Sequence, residues 1–210
     1  MIYKKELIDM SLVQCHYEEQ DGYISIEDDY TNNILYLAGY NECAFQVICY
    51  RGINMGDMES YALRSPMNSY NYAHYILKGR FELGEPIIAT DGHSSYLYAK
   101  DVLKGRFELG ENSIITSVTN SFMYAYIVLD GRFELGEPII ATNPEYSYAY
   151  AKDVLNGRFE LGEPAIATDP EFSYGYARFV LNGRFELGEQ SINSSSYYKT
   201  AYDYFLNDKQ

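Results

Sequence analysis

Five copies of the heptapeptide Gly-Arg-Phe-Glu-Leu-Gly-Glu place two glycines at the spacing found in phosphate-binding loops. The copies begin at Gly79, Gly105, Gly131, Gly157 and Gly183. A P-loop continues from its second glycine into Lys and then Ser or Thr, which meet the phosphates and a magnesium ion. Here a carboxylate follows instead, at Glu85, Glu111, Glu137, Glu163 and Glu189. Because a carboxylate repels phosphate, this chemistry is rejected for the repeated loop.

The other residues with catalytic potential are scattered along the chain. Cys15 precedes His16, but neighbouring residues on a strand face opposite sides. A metal site needs three or four converging ligands, and no such cluster is evident. Acidic residues that recur identically in every copy indicate a structural role, whereas an enzyme needs one special site. The sequence therefore predicts no catalytic residues, no metal site and no cofactor, and a protein that is not an enzyme. An enzyme with its site in residues 1–50 remains an alternative.

The constant step of 26 residues between copies indicates a stacked repeat array. In the clearest unit, Asn143 is the predicted N-cap of a helix and Pro144 its first residue. The helix is predicted to end at Gly157, in a left-handed C-cap conformation that glycine adopts without steric cost. Phe and Leu of the heptapeptide are predicted to enter the core, and a short second helix follows. The spacing of Ala151 and Leu155, four residues apart, predicts that both face the core.

We therefore predict an all-α fold, a solenoid of helical-hairpin repeats with a period of 26 residues. Residues 41–192 form the predicted array and residues 193–210 a C-terminal capping helix, from Tyr197 to Asp208. Residues 1–40 form a predicted N-terminal cap, irregular or β-hairpin. Asp21-Gly22 between two alternating segments favours the hairpin. The alternative there is a helix from Lys4 to Met10, and an earlier repeat helix is predicted from Asn41 to Gly52.

The charge balance limits the classes of partner. The chain holds 30 acidic and 16 basic residues, for a net charge of −14, so nucleic-acid phosphates and anionic membranes repel it. Basic proteins are the natural partners, although the charge also serves solubility alone. Three unpaired cysteines, no apolar leader and no long apolar run predict a cytoplasmic protein.

Positions that vary within the constant frame are the candidates for partner binding, because a repeat frame holds the stack and leaves other positions free to adapt. The alternative is that these positions tolerate drift. The candidates are His74, Tyr75, His93, Lys100, Asp101, Tyr126, Glu145, Tyr146, Lys152, Asp153, Glu171, Phe172, Arg178 and Phe179. The repeated arginines are expected to pair with nearby glutamates, each pair contributing under ~1 kcal/mol, or else to form a row of anion-binding forks.

The run from Tyr148 to Glu160 and the run from Glu163 to Pro170 resemble repeats in proteins of tailed bacteriophages. Those repeats carry strings similar to Tyr-Ala-Lys-Asp-Val-Leu-Lys-Gly-Arg-(Phe/Trp). The resemblance covers roughly residues 65–192. It implies expression in the cytoplasm of an infected bacterium, and it supplies no catalytic residues. By analogy, small acidic phage accessory proteins bind and block a host enzyme or defence complex.

The leading hypothesis is a non-enzymatic, acidic, tyrosine-rich protein-binding module that inhibits such a host protein, without contacting nucleic acid or membrane directly. A narrower version is nucleic-acid mimicry, in which acid rows occupy a basic groove. The alternatives are a protein that sequesters a small molecule or nucleotide between tyrosine rows and the arginine fork, and a structural or scaffolding adaptor.

Overall fold

The computed structural model of the chain describes residues 15–20, 23–28, 34–37 and 58–208. The chain forms two compact units, residues 1–90 and 91–210. The predicted helices from Lys4 to Met10 and from Asn41 to Gly52 lie outside the described residues, as does the predicted boundary after residue 40. No described helix has both the length and the apolar character that a membrane crossing requires.

A small antiparallel sheet precedes the helices in the first unit. The first two strands pair as a hairpin, with Gln20 opposite Tyr23 across the two residues Asp21 and Gly22. The hairpin signal in the sequence is thus confirmed, and a third strand extends the sheet in the order β1-β2-β3. The strands are β1 Cys15–Gln20, β2 Tyr23–Asp28 and β3 Ile34–Leu37. Helices of the same unit are Met58–Ala62, Pro66–Asn71, Tyr72–Leu77 and Glu85–Ile88.

Residues 91–116, 117–142, 143–168 and 169–194 form successive helical repeats, numbered 1 to 4 from here on. Each repeat has a first helix, the Gly-Arg-Phe-Glu-Leu-Gly-Glu heptapeptide and a short second helix. We call the heptapeptide the joint, and it contains one 3-10 turn. The first helices of consecutive repeats contact one another, so the all-α repeat solenoid is confirmed. The first helices begin as the α-helices Gly92–Leu97, Val118–Met123, Pro144–Ala149 and Pro170–Tyr176. They continue as the π-helices Tyr98–Leu103, Tyr124–Leu129, Tyr150–Leu155 and Ala177–Leu181.

The remaining helices belong to the joints, the second arms and the end of the second unit. Joint turns are Glu108–Gly110, Glu134–Gly136, Glu160–Gly162 and Glu186–Gly188. Second helices are Glu111–Ile114, Glu137–Ile140, Glu163–Ile166 and Glu189–Ser194. A final helix, Ser196–Asn207, follows repeat 4, within one residue of the predicted bounds at each end.

The starts of the first helices follow the sequence signals. The Asn143 side chain accepts a hydrogen bond from the amide of Tyr146 at 3.0 Å, and Pro144 occupies the first turn. Asp169 does the same with the amide of Phe172 at 3.1 Å. These caps satisfy backbone donors that a helix start leaves unpaired, so the N-cap predicted at Asn143 is confirmed.

The ends of the first helices differ from the prediction. The left-handed residue is Asn156, with φ of 49°, and not Gly157. Because the last turns are π-helical, the Asn156 amide bonds to the carbonyl of Ala151, five residues back. The left-handed position is thus one residue earlier than predicted. Lys78, Lys104, Asp130 and Asn182 hold the same conformation in the other copies.

The core faces were predicted correctly only in part. Tyr150 and Ala151 are fully buried, and so is Ile166 of the second helix. Phe159 of the joint is almost fully buried. Leu155, the last residue of the helix, is only half-buried, although it lies four residues after the buried Ala151. The leucine of each joint is exposed, so the prediction that it fills the core is wrong.

The second glycine of the joint has a steric role that the sequence did not reveal. A Cβ atom on Gly162 would lie 2.4 Å from Cδ1 of Phe159 and 2.8 Å from Cβ of Ser147. The buried Phe159 ring therefore covers this glycine directly. At Gly157 the nearest atom to such a Cβ is 3.8 Å away, so that position has ordinary room.

Candidate protein-binding surface

Each arginine of the joint is held by a glutamate five residues on, and this glutamate is buried in every copy except the last, where Glu189 is partly exposed. Arg158 donates from Nε to Oε1 of Glu163 at 2.6 Å and from Nη2 to Oε2 at 3.0 Å. The pKa of the Arg158 guanidinium is raised, first by this hydrogen bond and then by the charge of Glu163. The predicted arginine–glutamate pairing is confirmed, and the guanidinium fork is occupied by protein. The pair is only partly exposed to solvent, because Glu163 is buried.

A tyrosine of the following repeat completes this network. The Tyr176 hydroxyl donates to Oε1 of Glu163 at 2.9 Å and accepts the Phe159 amide at 2.9 Å. Burial raises the pKa of the Tyr176 hydroxyl. This hydroxyl is enclosed, because Tyr176 is fully buried. The same arrangement binds Tyr124, Tyr150 and Tyr202 to the joints that precede them.

The joints are therefore a frame, and the first helices carry a different kind of surface. Each first helix has an aromatic ring whose neighbour four residues on lies over or beside it, since this spacing places two side chains on one helix face. In repeat 2, Phe122 stacks on Tyr126 with ring centroids 5.7 Å apart. In repeat 4, the Arg178 guanidinium lies 5.9 Å from the centroid of Tyr174 and donates to its hydroxyl at 2.6 Å. Lys100 over Tyr96 and Lys152 over Tyr148 repeat this cation–π geometry.

Aromatic contacts also connect one repeat to the next. Phe122 of repeat 2 meets Tyr146 of repeat 3 at 5.4 Å between centroids. Tyr148 meets Phe172 of repeat 4 at 6.0 Å. Tyr174 meets Tyr198 of the final helix at 6.0 Å. We name as the aromatic surface the set formed by these rings and their partners on the first helices, in which Tyr96 and Phe122 are themselves buried. Its members are Tyr96, Lys100, Phe122, Tyr126, Tyr146, Tyr148, Lys152, Phe172, Tyr174, Arg178 and Tyr198.

Repeats 2 and 4 expose large apolar side chains at the edge of this surface. Tyr126 and Ile127 are 49% and 44% exposed. At the same positions in repeat 4, Phe179 is 59% exposed and the Arg178 guanidinium lies 5.2 Å from its centroid. Exposed apolar and aromatic groups of this size, grouped on one face, mark interaction sites in soluble proteins.

Repeats 1 and 3 hold polar pairs at the same positions. Lys100 and Asp101 are 3.5 Å apart between Nζ and Oδ1, and Lys152 and Asp153 are 3.4 Å apart. These charges partly compensate each other within each pair. Pairs with an exposed apolar side chain, in repeats 2 and 4, thus alternate with lysine–aspartate pairs, in repeats 1 and 3.

Most of the residues singled out in the sequence lie on or next to this surface. Lys100, Tyr126, Tyr146, Lys152, Phe172 and Arg178 belong to it, and Asp101, Asp153 and Phe179 adjoin it in the chain. Glu171 forms a hydrogen bond with Tyr198, whose pKa is raised first by burial and then by this bond. His93 and Glu145 are exposed at the starts of their helices, and neither takes part in the ring contacts. In the first unit, His74 stacks on Tyr70 at 5.6 Å and meets Tyr75 edge-on at 4.5 Å.

The aromatic rings that contact these candidate residues were not identified from the sequence. Phe122, Tyr148 and Tyr174 were not among the candidates, although an aromatic residue stands at this place in each copy. The signal was present: each ring precedes its variable partner by four residues, the spacing of neighbours on a helix.

The described residues hold no group of three or more His, Cys, Asp or Glu side chains placed to bind a metal ion. What the aromatic surface offers is contact area with a few charges, a composition typical of protein interfaces. Comparisons of the chain with protein-family models, curated proteins and solved structures found no match.

Proposed function

We propose that this chain is a non-enzymatic protein-binding module whose partner docks on the aromatic surface. The observation that carries the proposal is the alternation along it. Tyr126 with Ile127, and Phe179 beside the Arg178 guanidinium, are exposed anchors, whereas the equivalent positions of repeats 1 and 3 hold lysine–aspartate pairs. Tyr and Arg dominate the binding energy of protein interfaces, and self-paired charges suit the polar surroundings of such anchors.

The partner that fits best is a basic protein. The net charge of −14 attracts a basic surface over a distance and accelerates encounter, while the anchors supply short-range contact. The resemblance to bacteriophage repeats makes a bacterial host enzyme or defence complex the partner class of this proposal, and inhibition its consequence. Nucleic-acid mimicry is the narrower form of the same idea.

The test compares two double variants as bait in capture from a bacterial lysate, followed by titration of the captured protein. Tyr126→Ser with Phe179→Ser removes both anchors, whose side chains are 49% and 59% exposed. Asp101→Ser with Asp153→Ser changes polar positions of the same helices and serves as the control. We expect the anchor variant to lose affinity at least about thirtyfold, the equivalent of about 2 kcal/mol for a hot spot. Equal capture by both variants contradicts the proposal.

The mimicry form has its own readout. If acidic rows replace a nucleic acid, duplex DNA displaces the chain from its partner and the complex weakens strongly with salt. If DNA does not displace the chain, and the affinity is the same at low and high salt, the mimicry hypothesis is contradicted. The proposal of protein binding is not affected by that result.

A further inference from the structure

The chain holds two Asn-Gly dipeptides, and both lie where a first helix meets its joint. They are Asn156-Gly157 in repeat 3 and Asn182-Gly183 in repeat 4. Asparagine loses its side-chain amide most readily before glycine, because glycine has no side chain to hinder its own backbone nitrogen. Both asparagines are exposed to solvent, so water reaches them. Each dipeptide is therefore a candidate site of spontaneous covalent modification.

The reaction at such a dipeptide requires one backbone geometry. The glycine nitrogen attacks the side-chain carbonyl carbon Cγ of the asparagine, gives up its proton and expels the side-chain nitrogen as ammonia. The product is a five-membered succinimide ring, which water opens at either carbonyl to give aspartate or isoaspartate. The ring closes only when the glycine nitrogen lies on the same side of the asparagine Cα–C bond as Cβ.

The folded chain holds both dipeptides far from that geometry. Asn156 has φ of 49° and ψ of 40°, and Asn182 has φ of 49° and ψ of 37°. At these ψ values the glycine nitrogen points almost directly away from Cβ. The Gly157 amide also donates to the carbonyl of Ala151 at 3.0 Å, and the Gly183 amide makes the same bond to its own helix at 3.0 Å. The helix end must therefore open before the reaction begins.

The two products of the reaction differ in how they fit the joint. Asp130 stands at the same place in repeat 2, with φ of 47° and ψ of 44°. The Gly131 amide that follows it donates to the carbonyl of Ala125 at 3.1 Å, as in the asparagine copies. Aspartate thus keeps the joint and adds one negative charge. Isoaspartate carries the backbone through its side chain and lengthens it by one methylene, so the same hydrogen bond cannot close.

We propose that Asn156 and Asn182 are sites of spontaneous deamidation, and that local opening of the helix end controls the reaction at each site. The rate in the folded chain is then the rate in the unfolded chain multiplied by the fraction of molecules that are open. Aspartate accumulates without loss of the fold, whereas each isoaspartate breaks one joint.

The two sites differ in how firmly the joint beside them is closed. After Asn156, the Tyr176 hydroxyl lies 2.9 Å from Oε1 of Glu163, and the glutamate side chain is 10% exposed. After Asn182, the corresponding distance is 3.4 Å and the side chain of Glu189 is 24% exposed. The weaker joint opens more often, so Asn182 should react before Asn156.

Mass spectrometry of the full chain measures both sites separately. The folded chain is incubated in weakly alkaline buffer beside the same chain unfolded in guanidinium chloride. Trypsin then releases the peptides 153–158 and 179–184, each with one Asn-Gly, and chromatography separates aspartate from isoaspartate. We expect both sites to convert in the unfolded chain and at least about tenfold more slowly in the folded one, which corresponds to an opening free energy of about 1.4 kcal/mol or more.

Three outcomes of this experiment would overturn the proposal. Equal rates in the folded and unfolded chains would show that the helix end gives no protection. Absence of conversion in the unfolded chain would show that the dipeptides are not reactive. Conversion of Asn156 before Asn182 in the folded chain would show that closure of the joint does not set the rate.

Variants taken from the other repeats test the assignment. Asn156→Lys with Asn182→Lys removes both side-chain amides, and Lys104 holds the same left-handed conformation in repeat 1. During incubation in guanidinium chloride, the unaltered chain should shift from a net charge of −14 toward −16, one charge for each of the two sites, and this variant should show little shift in isoelectric focusing. An equal acidic shift in both chains would place the reaction at other residues and overturn the proposal.

The product has its own test. Asn156→Asp with Asn182→Asp reproduces the aspartate product at both sites and should unfold at nearly the same urea concentration as the unaltered chain, because Asp130 already holds this conformation. A clearly lower urea midpoint would overturn the inference that the joint accepts the product.

Discussion

The buried hydroxyl of Tyr150 is the most sensitive point of the network between repeats, and Tyr150→Phe tests it with almost no change of shape. The side chain is fully buried, accepts the Phe133 amide at 2.8 Å and donates to Glu137 at 3.1 Å. Without the hydroxyl, a buried N–H loses its partner, which costs about 1–3 kcal/mol, and a carboxylate loses one hydrogen bond. We expect the free energy of unfolding to fall by about 2–4 kcal/mol.

Urea unfolding followed by far-UV circular dichroism and tyrosine fluorescence measures this change, since the chain has no Trp. Tyr126→Phe is the matched control, because that ring is half exposed on a neighbouring repeat and its variant should stay within about 0.5 kcal/mol. If Tyr150→Phe and Tyr126→Phe have the same midpoint and slope, the hydroxyl does not stabilise the joint and the reasoning is refuted.

Three further predictions concern the joint and its pH dependence. Phe159→Ala should lower the free energy of unfolding by about 3–5 kcal/mol and Leu161→Ala by less than about 1 kcal/mol, measured by the same urea unfolding; equal losses would contradict the observed burial. Gly162→Ala should destabilise by about 1–3 kcal/mol, because its Cβ meets the Phe159 ring, whereas Gly157→Ala should be neutral or stabilising. Burial raises the pKa of the tyrosines in the network above the usual 10.0, so the folded state keeps protons that the unfolded chain loses. The free energy of unfolding should be constant up to about pH 9 and fall above about pH 10, by up to about 1.4 kcal/mol per pH unit for each such tyrosine. Urea unfolding midpoints measured from pH 8 to 11 check this. A midpoint that stays constant up to pH 11 would contradict it.

The period, the helix starts and the second helices follow from local rules. Asn143 and Pro144 act through the first turn alone, so their roles are readable from four residues of sequence. The arginine–glutamate pair is also local, since Arg158 and Glu163 are five residues apart in one turn. These features could therefore be predicted without knowledge of the packing.

The features that were predicted wrongly depend on packing beyond one helix. The spacing from Ala151 predicted that Leu155 faces the core, and the closing glycine predicted a left-handed Gly157. In the structure the left-handed residue is Asn156, after a π-helix from Tyr150 to Leu155. How far Leu155 is covered depends on neighbouring segments of the chain, which the periodicity of one helix does not contain. The roles of Tyr176 and Glu163 could not be predicted for a related reason, because their hydrogen bond joins residues of different repeats.

The network between repeats also bears on how the aromatic surface binds. The hydroxyl of a tyrosine in one repeat satisfies both the amide and the carboxylate of the joint before it, as Tyr176 does for Phe159 and Glu163. A shift between two neighbouring repeats would therefore leave buried polar groups unpaired, at about 1–3 kcal/mol for each. The anchors of the aromatic surface stand on first helices fixed by these bonds, so a partner orders little of the chain on docking. Tyr150→Phe should consequently weaken partner binding as well as stability, although the hydroxyl it removes is buried and touches no partner. Unchanged affinity in a destabilised but folded Tyr150→Phe variant would show that the anchors bind independently of the frame.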